Sequence, residues 1–305
     1  MVCVPDRRSR VEADCVTSRP PLERLRICWF DDSGETSDSS RSKLARLRRE
    51  LARFGHRVAT VAPSALTLED VVRVHDRGYA EGVLEGPPPS HPMGVAMPSG
   101  ADMLRELGAC HAAAVAALED GVAAAFTLGA HDAFWDSPGR SCPLNGWMVT
   151  AARLIADGSV KRIAIVDCSP HCGSGSQSII DRLGLGQHVK LVSFGRRFQF
   201  RRQAQLYLAR ARLLESEIAA FRPDIVLYQA AAGSHVQSPI GGVLGTDQMR
   251  RRDSTVLGTA RRLGLPIAWN IDGTAPPAPP IDIAVQVHLQ TFCEAWRAFA
   301  TEPLE

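Results

Sequence analysis

Residues Ile163–Gln177 read IAIVDCSPHCGSGSQ. An apolar run ends in Asp167, and a Cys/Ser/Pro/His/Cys cluster and a turn of small residues follow at once. An apolar run without polar alternation fits a strand buried on both faces, as parallel sheets require. Open α/β sheets bind their ligands where such strands end. Asp167, His171 and Cys172 are therefore candidate chemical groups.

Strands and helices alternate on either side of this segment. RLRICWFDD, HRVATVAP, AAAFTLG, KLVSFG, DIVLYQA and PIAWNID read as further strands. SDSSRSKLARLRRELARFG carries serine caps, helical apolar spacing and a glycine stop. TLEDVVRVHDRGYAEGVLEG opens on a Thr-x-x-Asp cap and predicts one or two helices. Helices are also predicted over ADMLRELGACHAAAVAALEDG, NGWMVTAARLIADG, TDQMRRRDSTVLGTARRLG and residues near 283–300, with a single long helix over QAQLYLARARLLESEIAAF. Residues 87–100 read as a Pro/Gly loop. The expected fold is one α/β domain over 25–305, a three-layer α/β/α sandwich on a mostly parallel sheet. Residues 1–24, polar and charged, are an N-terminal extension.

The 305 residues are 45% hydrophobic, enough for a packed core, and carry a formal net charge of +2. That balance calls for no nucleic-acid and no membrane partner. No run nears the roughly 18 apolar residues of a membrane span. The N-terminus has no apolar segment of secretory type, so the expected location is cytoplasmic. The eight cysteines show no framework spacing and are expected to be thiols.

The predicted strand ends compose the site. They supply His131 and Asp132, Asp167 with His171 and Cys172, Ser234 with His235, and Asp272. By alternation along the strand, Cys168 falls on the side opposite Asp167.

The order of these signals resembles the histone deacetylase superfamily, with its acetoin-utilisation and acetylpolyamine amidohydrolase relatives. The early segment resembles the family's VHD…Y. GAHDAFWDSPGRSCPLNGWMVTAARLI resembles PGHHA…GFCLFNN…AA, and RIAIVDCSPHCGSGSQ resembles RVAIVDxDVHHGNGTQ. AAAGSHVQSPIGGVLGTDQM resembles SAGFDAHxxDPLGGLNLT, and IDGT stands where the family has GGY. The resemblance implies the arginase/deacetylase fold and an ancestral zinc hydrolase. In that chemistry three protein ligands leave an open position for water, and a His base and a Tyr complete the site.

The resemblance places the zinc ligands on Ser169, His171 and Gly233, of which only His171 is a usual ligand. It places the carbonyl-polarising Tyr on Thr274 and the tandem His pair on His131 and Asp132. Asp167 takes the place of the carboxylate that orients the first His, and Ser174 that of the second acid. A divergent, zinc-independent enzyme is then expected, without cofactor, acting on an acyl-amide or related carbonyl substrate. His131 held by Asp167 would be the general base. Asp132, His171 or the Cys172 thiol would supply acid or nucleophile. Cys142, Ser169, Gly233, His235, Asp272, Thr274 and Phe198 are candidate substrate-binding positions. The expected partner is a small-molecule or carrier-bound substrate of bacterial specialised metabolism, and the sequence leaves the oligomeric state open. Two alternatives stand beside this reading. One is a catalytically inactive binding or scaffold protein. The other is a hydrolase with zinc rebuilt on Cys168, His171, Cys172 and His235.

Overall fold

The computed structural model describes residues 22–30, 39–86, 98–127, 132–139, 142–170, 172–195, 198, 200–238, 242–271 and 280–304. Seven strands form one sheet: β1 Leu25–Trp29, β2 Val58–Val61, β3 Val122–Phe126, β4 Ile163–Asp167, β5 Val189–Ser193, β6 Ile225–Ala230 and β7 Ile267–Ile271. Their spatial order is β2-β1-β3-β7-β6-β4-β5, and every pairing is parallel. β3, β4, β6 and β7 are buried at every residue, which explains why their sequences read as apolar runs.

The helices are α1 Ser39–Leu51, α2 Leu68–Val71, α3 Arg77–Glu85, α4 Gly100–Asp120, α5 Gly146–Ala156, α6 Ser174–Arg182, α7 Ala204–Ala211, α8 Leu214–Phe221, α9 Thr246–Arg262 and α10 Ile281–Phe299. They divide between the faces of the sheet. α1 and α7–α10 pack on the face that carries Ala164, Val166, Tyr228 and Trp269. α2–α6 pack on the face that carries Ile163, Ile165, Leu227 and Ala268. The three-layer sandwich is therefore as the alternation of elements predicts. Among the described residues no helix is long and apolar enough to cross a membrane.

Local signals fix several boundaries. Thr67 and Asp70 form a reciprocal capping box at α2. Asn145 caps α5 through the Met148 N–H, and left-handed Gly121 ends α4. Two elements differ from the sequence reading. The stretch read as one long helix is two, α7 and α8. Arg212 and Leu213 between them bond to the third residue back, Ala209 and Arg210, which tightens the turn. The Arg210–Glu217 ion pair, at 2.8 Å, spans the break. α6 was not predicted, because its SGSQS opening reads as a turn.

A charged cluster lies beneath the β6 tip on the α9/α10 face. Arg252 and Asp253 are fully buried and pair at 2.8 Å. Asp253 also accepts from the Tyr228 hydroxyl and, at 2.7 Å, from Thr291 Oγ1. Arg252 Nη1 donates to the Ala231 carbonyl at 2.7 Å, tying the helix to the turn that follows β6. Burial works against the Arg252 charge, but Asp253 together with Tyr228, Cys168 and Tyr207 outweighs it, and the guanidinium pKa is raised.

Candidate functional site

The site builds outward from the β4 tip. Asp167 is 3% exposed, and its Oδ1 accepts the Ser169 N–H at 2.6 Å. The chain then turns through two successive left-handed residues, Cys172 (φ 66°) and Gly173 (φ 59°), into α6. A side chain at 173 would come within 2.7 Å of the other Asp167 oxygen, so the carboxylate lies against bare backbone. A left-handed Cys beside a buried carboxylate is backbone strain of the kind that collects at functional sites.

Asp132, also 3% exposed, is held to the same turn. A side chain at Gly175 would stand 2.1 Å from the Asp132 carbonyl oxygen, so only glycine permits this approach. The Asn145 amide strengthens the join by donating to the Ala133 carbonyl and to Ser176 Oγ, each at 3.0 Å. His75 holds the far end of the segment. The Asn145 N–H donates to its Nε2 at 3.1 Å, and its Nδ1 lies 3.3 Å from the Trp135 carbonyl. Burial pulls the His75 pKa down to about 4, so the ring is neutral and Nδ1 is the donor. The sequence reading quoted His75 within a motif but gave it no place in the site. Its missed role is to pin the 132–145 segment, together with the Tyr79 hydroxyl, which donates to the Pro143 carbonyl at 2.5 Å.

The other predicted positions fall into several environments. Ser169 is 1% exposed, and its hydroxyl has no hydrogen-bond partner among the described residues. Gly233 is buried in the turn Ala232–Ser234. Cys142 is buried near Tyr79. His235 is occupied at both nitrogens: Nε2 lies 3.0 Å from Thr246 Oγ1, and the Gln237 N–H donates to Nδ1 at 3.2 Å. Burial, aided by Arg201, lowers its pKa. Phe198 packs its ring 5.2 Å from that of Tyr207 in the α7 layer. Cys168 lies in that same layer, across the sheet from Asp167, and burial pushes its thiol up to about 12. Cys172 borders a cavity of about 500 Å³ at the edge strand β5, with Gln177, Ser193, Arg210 and Glu217 around it. His131, His171, Asp272 and Thr274 lie outside the described residues.

One feature of the site escaped the sequence reading. In the sheet register Asp167 pairs with Ser193 on one side and Gln229 on the other, Gln229 with Asn270, and Asn270 with Ala125. Residues in register on parallel strands share a face, so Asp167, Gln229 and Asn270 form a row on the α2–α6 side. Gln229 and Asn270 are at most 1% exposed. Both polar atoms of both amides are buried without a hydrogen-bond partner among the described residues. The same holds for Thr127 Oγ1, just past β3, and for Trp147 Nε1 and Thr150 Oγ1 on α5. A buried polar group left unpaired costs about 1–3 kcal/mol, and native folds carry few of them.

The family model for the histone deacetylase domain matches residues 36–197, more than half of the chain. The chain belongs to the histone deacetylase domain family. The crystal structure of the HDA15 HD domain superposes with a TM-score of 0.68 over 92% of this chain and 90% of that one. At 16% identity that likeness is one of fold. An uncharacterized protein of Picosynechococcus is 30% identical over 173 residues, which are 52% of this chain and 57% of the relative. The chain thus matches less than two thirds of that relative's length.

The zinc chemistry implied by the family can be set against the residues present. Zinc is held by thiolate, imidazole and carboxylate. At two of the three positions that the resemblance assigns to zinc ligands stand the Ser169 hydroxyl and Gly233, which has no side chain. This donor set does not fit a zinc ion. The alternative set fares no better at two of its members, since Cys168 lies in the opposite layer and His235 has both nitrogens occupied.

Proposed function

We propose that this deacetylase-family chain is a zinc-independent enzyme acting on an acyl-amide or related carbonyl group of a small-molecule or carrier-bound substrate. The observation that carries the reading is the contrast at the β4 tip. The Asp167 carboxylate is kept, buried and oriented by the Ser169 N–H, while Ser169 and Gly233 offer no metal donor.

In this reading His131 donates one N–H to Asp167. Its other nitrogen takes the proton of the attacking water and returns it to the leaving amine. Asp132, held beside the α6 turn, supplies the second acid–base group, and His171 and the Cys172 thiol, shortly before α6 in the sequence, are the other candidates. No step is routed through a metal. The test is turnover of a panel of N-acylated small amines, followed by amine release, with and without chelator. Retained activity in chelator, and a loss of about 10²–10⁴-fold in His131→Ala, is the expected result. Activity that vanishes in chelator and returns with zinc would overturn the zinc-independent reading.

A second reading is favoured by a different observation. The amides of Gln229 and Asn270, unpaired among the described residues, are what a binding pocket needs whether or not it performs chemistry. A non-catalytic ligand-binding member would show binding with no turnover of any substrate in the panel.

A further inference from the structure

We infer that Gln229 and Asn270 form the floor of a ligand site for an uncharged group bearing both a donor and an acceptor, of which a carboxamide is the simplest. The inference stands whether or not His131 acts as a base, because it rests on different residues.

Three observations carry it. First, the two residues are register partners on adjacent strands, so both side chains leave the same face of the sheet. Together they present two NH₂ groups and two carbonyls, and none of these is bonded among the described residues. Second, the flanking positions in the row do not complete them. Ala125 offers only a methyl group beside Asn270. Beside Gln229, Asp167 bonds neither atom of its amide. Third, the groups that share this face extend the same chemistry. Thr127 and Ser169 add buried hydroxyls at the strand ends, and Trp147 a buried indole N–H from α5, all unbonded among the described residues.

The charge of the ligand follows from what these groups can accept. The row holds one acid and no base, since Arg252 lies on the other face of the sheet. An anion would meet Asp167 and leave both amide carbonyls unserved. A cation would leave the amide NH₂ groups unserved. A neutral group that both donates and accepts serves both.

The test uses the full chain, with acetamide and N-methylacetamide as probes and acetate and methylammonium as charged controls. The readouts are thermal unfolding and the side-chain NH₂ resonances of Gln229 and Asn270. The variants are Gln229→Met and Asn270→Leu, of similar shape without the amide. The expected result is an amide-specific rise in Tm for the wild type and shifts in both NH₂ resonances. In each variant the apparent affinity should fall at least tenfold, and the ligand-free variants should melt above the wild type. Equal responses to acetate and acetamide would overturn the neutral class. Wild-type NH₂ resonances unmoved by the amides, with variants that melt lower, would mean that fixed water or other internal partners serve these groups, and would overturn the site. If a variant fails to fold, the wild-type resonances decide alone.

Discussion

The two faces of the sheet meet the same strand tips and treat buried polarity in opposite ways. On the α9/α10 face, Arg252, Asp253, Tyr228 and Thr291 serve one another, and Arg252 reaches on to the Ala231 carbonyl. On the α2–α6 face, Gln229 and Asn270 sit at the same depth with nothing to bond among the described residues. The first arrangement is a structural clamp: it fixes the β6 turn, and through it the neighbouring β4 tip. The second leaves four buried amide atoms for which the described residues provide no partner. Closed polar networks rigidify a core, and open ones mark where it is unfinished. Charge divides them as well, since the clamp is built on an ion pair while the row on the open face sets two neutral amides beside the single Asp167 carboxylate.

The largest effect should come from breaking the clamp. Asp253→Asn leaves the Arg252 guanidinium buried without its counter-charge and should destabilise the chain by about 3–5 kcal/mol in urea unfolding. Replacing both partners, as Arg252→Met with Asp253→Leu, should recover much of that loss, because neither charge then needs a partner. A double variant no more stable than Asp253→Asn would mean that Arg252 serves more than Asp253.

Acid should strike the open face first. His75 has a folded pKa of about 4, below its ordinary value of 6.5, because burial disfavours the charged ring. Its contribution is complete above pH 6.5 and is lost as pH falls from 6.5 towards 4, where the unfolded chain binds a proton that the folded chain refuses. At about 1.4 kcal/mol per pH unit the loss amounts to about 3 kcal/mol. His111 and His235, also lowered by burial, add to it in the same direction. His75→Gln should flatten this part of the stability profile between pH 6.5 and 4.5. An unchanged slope in the variant would place the acid sensitivity elsewhere.

These contrasts also separate what could be read from the sequence from what could not. The buried strands, the capped helices and Asp167 at the β4 tip were legible, because each is a local pattern: an apolar run, a Thr-x-x-Asp box, a strand emptying into small residues. The opposite placement of Cys168 followed from strand alternation alone. The Gln229–Asn270 row was not legible, since the two residues lie forty-one positions apart in the chain. They become neighbours only because β7 enters the sheet between β3 and β6, and no local signal states that order. α6 was missed because Ser and Gly favour turns, whereas here they let the helix start lie against Asp167 and the Asp132 carbonyl. The division of α7 from α8 was missed because no Gly or Pro marks it. His75 looked like part of a motif, and its two hydrogen bonds to the 132–145 segment appear only in three dimensions.

The finest test compares two buried serines, one on each side of this division. Ser234 Oγ donates to the Cys168 carbonyl at 2.6 Å and joins the β6 turn to the β4 tip. Ser169 Oγ, two residues past Asp167, is buried and bonds to nothing among the described residues. Both are at most 5% exposed, so Ser→Ala removes a similar oxygen from a similar depth. Ser234→Ala should cost about 1 kcal/mol, the usual net value of one hydrogen bond, and somewhat more because the Cys168 carbonyl is left unserved. Ser169→Ala should cost nothing or stabilise slightly, since it removes an unpaired group rather than a bond. The Ser169 result should also depend on ligand. If the open face binds an amide that reaches this hydroxyl, the wild type gains more from the probe than Ser169→Ala does, and the order of stability reverses at saturation. Equal costs for the two serines would mean that Ser169 is served in solution, and the open face would then be smaller, confined to Gln229, Asn270 and their neighbours on α5.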